Sequence, residues 1–126
     1  MKRKFRLTRT IDFQRVRQQG KSFAHPLLIL IVDQNPENTI RIGISVGKVV
    51  GNAVTRNRVK RRMRASLSAM INHIQPGWDL VFLARKSIVT ASYEELIKTE
   101  IQMLKRAGLY REESVLQDGP SARVSQ

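Results

Sequence analysis

Thr39-Ile40-Arg41-Ile42-Gly43-Ile44-Ser45-Val46-Gly47, followed by Lys48-Val49-Val50-Gly51-Asn52-Ala53-Val54-Thr55-Arg56-Asn57-Arg58-Val59-Lys60-Arg61-Arg62-Met63-Arg64, decides the fold. In the first part Ile40, Ile42, Ile44 and Val46 alternate with Arg41, Gly43, Ser45 and Gly47, the period-two pattern of a strand with one core face. The second set is small or polar and lets a covering helix or a bound single strand approach closely. Gly51-Asn52 then turns into a helix expected over residues 53–73. Val59, Met63, Leu67, Met70 and Ile74 recur on it at helical spacing and form an inward stripe. Asn57, Lys60, Arg61 and Arg64 lie opposite that stripe, and Arg58 and Arg62 flank it. Pro76-Gly77 stops the helix. A further strand follows over residues 78–86, where Leu80-Val81-Phe82-Leu83-Ala84 is continuously apolar, as a strand buried on both faces requires.

Upstream, Thr10 is placed to cap a short helix with Asp12 in its first turn, where an acid favours the helix dipole. Phe13 and Val16 face inward and Gly20 ends the helix. Arg9, Arg15 and Arg17 are expected on its open side. Residues 21–24 form a short strand, Pro26 interrupts the pattern, and residues 27–32 form an apolar strand before a turn over 33–38. Downstream, Ser92 and Glu95 make a capping box. Tyr93, Ile97, Ile101 and Leu104 are expected to be the buried stripe of the last helix, which Gly108 ends. The order is α-β-β-β-α-β-α in one α/β (α+β) domain with a four-stranded sheet. That domain spans residues 1–111, with residues 1–9 as a flexible basic arm. Residues 112–126, poor in apolar side chains, read as a disordered tail.

The charge is lopsided. The net charge is +13 over 126 residues. Residues 1–64 carry 16 basic and 3 acidic side chains, and residues 65–126 carry 7 of each. No acid occurs between Glu37 and Asp79, and six Lys or Arg residues fall between Arg56 and Arg64. Like charges at i and i+4, such as Arg58 with Arg62 and Lys60 with Arg64, repel on a helix. A polyanion relieves that repulsion, so a nucleic acid is the expected partner. Charge alone does not separate RNA from DNA, but the chain carries neither a helix-turn-helix nor a zinc-finger pattern.

Other chemistries find little support. The absence of cysteine excludes disulfides and thiolate sites and fits a cytoplasmic location. No apolar run reaches the ~18 residues of a membrane span, so no membrane partner is expected. The adjacent acids Glu94-Glu95 and Glu112-Glu113 read as solvated surface. His25 and His73 are the only histidines and lack the carboxylate neighbours of a metal site. The protein alone is expected to be a binder, with no catalytic residue and no metal of its own.

Arg41-Ile42-Gly43-Ile44-Ser45-Val46, Lys48, Gly51-Asn52-Ala53-Val54 and Arg56-Asn57-Arg58-Val59-Lys60-Arg61 together resemble the signature of the bacterial ribonuclease P protein component. The likeness runs from Asp12-Phe13, Val16 and Gly20 to Gly77-Trp78-Asp79-Leu80-Val81, Ala84-Arg85, Tyr93, Leu96 and Gly108-Leu109. It implies the small subunit of a ribonucleoprotein endonuclease that removes the 5′ leader of precursor tRNA. The RNA subunit holds the active site and the catalytic Mg2+. It also implies a left-handed strand–helix–strand crossover, against the general right-handed rule. By resemblance, Arg56, Asn57, Arg58, Lys60, Arg61 and Arg64 contact the RNA subunit, with Lys48 and Asn52 at the helix entrance. Phe13, Arg17, Arg41 and Ser45 line a leader cleft. Arg17 and Leu30 stand where family members often carry aromatics, with Phe23 as a possible substitute, and Gly47 and Val49 stand where Ser and Lys are common. The competing readings are a structural, ribosomal-type RNA-binding protein and a free-standing nuclease.

Overall fold

The computed structural model describes residues 1–112. Its centre is a sheet of four strands: β1 (Lys21–Ala24), β2 (Leu28–Gln34), β3 (Ile40–Ser45) and β4 (Trp78–Ala84). Their spatial order is β1-β2-β4-β3. β2 pairs antiparallel with both β1 and β4, whereas β3 runs parallel to β4. A parallel neighbour needs a long crossover, and the helix α2 (Ala53–Ala69) supplies it.

The two central strands are apolar on both sides, so each sheet face must be covered. Leu28, Leu30 and Val32 of β2 and Leu80, Phe82 and Ala84 of β4 face α2 and α3 (Tyr93–Arg106). The opposite face carries Ile29, Ile31, Val81 and Leu83, and α1 (Thr10–Gln19) lies on it through Val16 and Phe13. The expected α2 stripe is the observed one: Val59, Met63, Leu67, Met70 and Ile74 are all buried. The helix itself is shorter than expected, ending at Ala69, and a single 3-10 turn, Ile71–His73, completes the descent to β4.

Three local expectations are corrected. Thr10 is the first residue of α1 rather than its cap; Arg9 takes the cap position without a side-chain hydrogen bond. Residues 1–9 do not stand off as a free arm: Leu7 is 4% exposed, its N–H donates to the Ile42 carbonyl at 2.8 Å, and Arg6 bridges Ile42 in parallel. The alternating Phe5 and Leu7 thus close the open edge of β3. In α3 the Ser92–Glu95 capping box is present, but the buried arc is Leu96, Thr99, Glu100, Met103 and Leu104, while Tyr93 is 41% exposed. Ile97 and Ile101 sit only on the margin of the core. The tail expected over 112–126 lies, apart from Glu112, outside the described residues.

Glu100 breaks the apolar arc of α3 and explains that last correction. It is fully buried, and neither carboxyl oxygen has a hydrogen-bond partner. Burial pushes its pKa up to about 8, opposed weakly by the nearby Ser66 hydroxyl, which itself donates to the Met63 carbonyl at 3.0 Å. Glu100 is therefore a neutral acid at pH 7, which spares the core an unpaired charge. The unfolded chain loses this proton near 4.5 and the folded chain only near 8. Between those values the unfolded state binds fewer protons, so this residue's linkage makes stability fall as pH rises. Glu100→Gln is expected to remove that part of the pH dependence, on the order of 2–4 kcal/mol. Urea unfolding of both proteins from pH 5 to pH 8.5 checks it; parallel stability curves would refute the buried neutral acid.

Candidate nucleic-acid interface

The basic helix begins at a built corner. A 3-10 turn, Lys48–Val50, leads to Gly51, whose φ of 154° and close approach to Thr55 disfavour any side chain. Asn52 then caps α2, its Oδ1 accepting the Thr55 N–H at 3.0 Å. Asn52, expected to meet RNA, therefore already spends one lone pair of its oxygen on the helix and has its amide nitrogen and the second lone pair to offer. Lys48 is exposed beside this corner.

At 3.6 residues per turn, the buried stripe places Asn57, Arg61 and Arg64 on the outer side of α2, and all three are exposed. Arg58 is exposed on the flank toward α3. Its neighbour Arg62 is half-buried there and donates to the Ala91 carbonyl at 3.0 Å, a structural task. Lys60 and Arg56 are half-buried on the flank toward β3, and the Arg56 Nε is buried without a partner. Among the described residues no α2 side chain is in an ion pair; the cations so engaged are Arg15, Arg41, Lys98 and Lys105. Among the described residues the charge on α2 is thus left without an ion-pair partner.

The other surface is a cleft beside α1. The tip of the Phe13 ring stands over Gly43: a Cβ at that glycine would come within 2.5 Å of the Phe13 Cζ. The small residue read from the strand pattern is there to admit an aromatic ring. Arg17 is exposed on α1, and Ser45 is half-exposed on the same side of β3 as Gly43. Around the β3 edge a groove of about 250 Å³ runs past Phe13, Ile44, Arg6 and Arg64. Arg6 is a site residue that the sequence reading did not single out, because it placed residues 1–9 in a free arm. The alternation of Phe5 and Leu7 was the available signal.

Two expected cleft residues are elsewhere. Phe23 pairs with Leu30 in β1–β2 register, so it points to the α2–α3 face, where Lys21 and Arg106 lie over its ring at 5.5 and 5.8 Å. It cannot stand in for an aromatic beside Phe13. Arg41 is on the correct face, but its guanidinium is spent on Asp79, with Nε to Oδ1 at 2.9 Å and Nη2 to Oδ2 at 2.8 Å. Arg15, read as an open-side cation, also turns inward, bonding Asp79 and Asp33 at 2.5 Å each. Asn35 donates to the same Asp79 at 3.0 Å. Burial alone would push the Asp79 carboxyl up; the hydrogen bonds from Arg41, Arg15 and Asn35 outweigh it and hold the group below its ordinary value.

Among the described residues, no group of three or more His, Asp or Glu side chains could hold a metal ion, and no helix is long and apolar enough to cross a membrane. The arrangement offers unpaired cations and an aromatic cleft.

The family model described as Ribonuclease P matches residues 1–108. The chain is 44% identical over 112 residues to the ribonuclease P protein component of Clostridium novyi, covering 87% of this chain and 99% of that one. It is 39% identical over 112 residues to the ribonuclease P protein component of Herpetosiphon aurantiacus, covering 89% and 91%. The Staphylococcus aureus RNase P protein superposes with a TM-score of 0.78 at 30% identity over 85% of this chain and 98% of that one. The Thermotoga maritima RNase P protein gives 0.74 at 27% identity over 80% and 96%.

Asp79→Asn leaves Arg15 and Arg41 without their shared counter-charge, and a cost on the order of 2–4 kcal/mol is expected, since both arginine side chains keep 29% exposure. Because the folded carboxyl titrates below the ordinary 3.8, its stabilisation is complete above that pH and is lost as pH falls through the folded value. Acid unfolding curves of the two proteins should therefore converge at low pH; a gap that persists there would contradict the assignment.

Proposed function

The chain belongs to the ribonuclease P protein family, and on that premise we propose that it binds the catalytic RNA subunit through α2 and the 5′ leader of precursor tRNA through the cleft beside α1. The observation that carries this reading is the division of the cations. Arg15 of α1 and Arg41 of β3 are paired internally with acids, whereas Arg58, Arg61 and Arg64 of α2 are exposed and, among the described residues, in no ion pair. Arg58, Arg61 and Arg64 meet phosphates of the RNA subunit, their planar forks suited to bidentate contact. Asn57, set between Arg56 and Arg58, reads a base edge or a 2′-hydroxyl. Lys48, Arg56 and Lys60 extend this contact at the helix entrance and along the β3 side. Asn52 contributes mainly by starting the helix where these side chains point outward.

In the cleft, Phe13 offers a ring on which an unstacked leader base can lie. Arg17 supplies charge to the leader backbone, and Ser45 a hydroxyl on the strand floor. Arg41 acts here through position rather than contact, holding β3 and α1 in register by way of Asp79. The protein supplies no acid, base or metal to the cleavage; hydrolysis of the phosphodiester belongs to the RNA subunit and its Mg2+. By neutralising phosphates and holding the leader, the protein lowers the magnesium that the RNA requires.

Reconstitution tests the whole reading. The protein alone is expected to leave precursor tRNA intact, and addition of the RNA subunit to give 5′ cleavage at magnesium too low for that RNA alone. No rate gain on mixing would overturn it. Two variants separate the surfaces. Arg61→Ala should weaken binding to the RNA subunit and reduce the salt slope by about one. Phe13→Ala should leave that binding unchanged but cut the preference for precursor over mature tRNA, by about tenfold if one base stacks there. A structural RNA-binding protein would show the salt slope without any preference for the leader.

A further inference from the structure

Beyond the α2 surface and the α1 cleft, a third feature lies at the opposite end of β3. A half-open cavity of about 310 Å³ is bounded by Lys4, Phe5, Asn38, Ile40, Ile71 and Asn72. This is the small end of the ligand-pocket range, and the composition is that of a ligand site: apolar walls with a few polar groups at the mouth. Phe5, Ile40 and Ile71 provide the walls. Asn35, in the same turn, uses its amide on the Thr39 carbonyl and Asp79. The side chains of Asn38 and Asn72, by contrast, are free of hydrogen bonds among the described residues. Asn38 also holds φ at 54°, the only positive value at a non-glycine among the described residues, a conformation that asparagine tolerates better than most. The Lys4 ammonium stands 5.0 Å from the centre of the Phe5 ring, with Lys2, Arg3 and Arg6 exposed around it. Glu37, beside Asn38, is the one exposed acid near the mouth in sequence.

An occupant must fit a cavity of about 310 Å³ with Phe5, Ile40 and Ile71 as its apolar lining. It must offer donors and acceptors along an edge to two free amides, and carry negative charge toward Lys4. A nucleotide has all three properties. Position supports the same occupant. Arg6 pairs with Ile42, and the two recesses are lined by neighbouring residues of the same two segments, Phe5 and Ile40 in the cavity and Arg6 and Ile42 in the groove that also meets Phe13 and Arg64. The exposed cations Lys2, Arg3, Lys4 and Arg6 lie on the segment that lines both.

We propose that the cavity between Phe5, Ile40 and Ile71 takes one unstacked base of single-stranded RNA, with Asn38 and Asn72 on its edge and Lys4 on its phosphate. The proposal rests on the RNA-binding reading for its partner, but its first test does not need the holoenzyme. Titration of the full-length protein with adenosine 5′-monophosphate, followed by amide NMR, should move the resonances of Phe5, Ile40 and Asn72 and saturate in the millimolar range. Ribose 5-phosphate should move only the basic N-terminal residues. Lys4→Ala should weaken the mononucleotide severalfold and leave adenosine unchanged, and Asn72→Leu should weaken both by about fivefold. Equal shifts with ribose 5-phosphate, or none at the cavity with the mononucleotide, would overturn the pocket while leaving the reconstitution result untouched. In the assembled complex, a photo-crosslinker at position 72 distinguishes the source. Labelling of the leader or of the RNA subunit supports the site and names its strand; labelling of neither removes it.

Discussion

The carboxylate of Asp79 fixes the relation between α1 and the sheet. Asp33, Asp79 and Arg41 stand side by side across β2, β4 and β3, and Arg15 reaches down to them from α1. A ten-residue helix is too short to be stable alone, and α1 inserts only Val16 fully into the face it covers. The ion cluster supplies the second point of attachment. It also sets direction: hydrophobic contact would tolerate a sliding helix, whereas a carboxylate shared by two guanidinium groups and an amide does not. Burying such charges contributes less to net stability than to a single arrangement, and a single arrangement is what a cleft between helix and strand requires.

The same cluster explains why the positive charge is usable. The N-terminal half has few acids, and two of them, Asp12 and Asp33, face Arg15, with Asp79 joining from β4. The acids are thus consumed within the fold, next to the cations that build it. Among the described residues no acid pairs with α2, whose arginines repel one another along the helix. A net charge of +13 on a small domain disfavours compaction; placing six cations on α2 and five on residues 1–9 lets a nearly neutral remainder of the chain carry the core.

What the residues disclose in advance depends on how far apart the interacting partners are. The α2 stripe was legible because one helix writes its own period, and Val59, Met63 and Leu67 have no competitor. In α3 the same method chose Tyr93, Ile97, Ile101 and Leu104; only Leu104 is fully buried, and the observed arc runs through Glu100. A neutral buried acid is invisible to a pattern built on charge. The N-terminal segment failed for a related reason: five cations in nine residues outweighed Phe5 and Leu7, whose alternation gains meaning only beside a strand edge 35 residues away. Arg41 was placed on the correct face by period two, yet its engagement with Asp79 is a matter of tertiary register and no local spacing records it. The misplacement of Phe23 came from the same limit. Its face is set by pairing with Leu30, and composition supplied only the need for an aromatic.

β3 is the element through which these features combine. One of its faces, Ile40 and Ile42, is buried under α2; the other, Gly43, lies under the ring of Phe13; its outer edge takes the N-terminal segment. Each adjoining surface is therefore indexed to one six-residue strand hydrogen-bonded to the largely buried β4. On the proposed reading, a rigid index of this kind suits the holding of two parts of a nucleic-acid complex at a fixed separation, because an ordered strand needs no further ordering when a partner binds, and the entropic cost of association is correspondingly smaller. Gly43 illustrates the economy: its missing side chain brings Phe13 onto the strand, and the flanking Ile42 and Ile44 meanwhile anchor the opposite face, so cleft and basic helix are placed by neighbouring residues of a single segment.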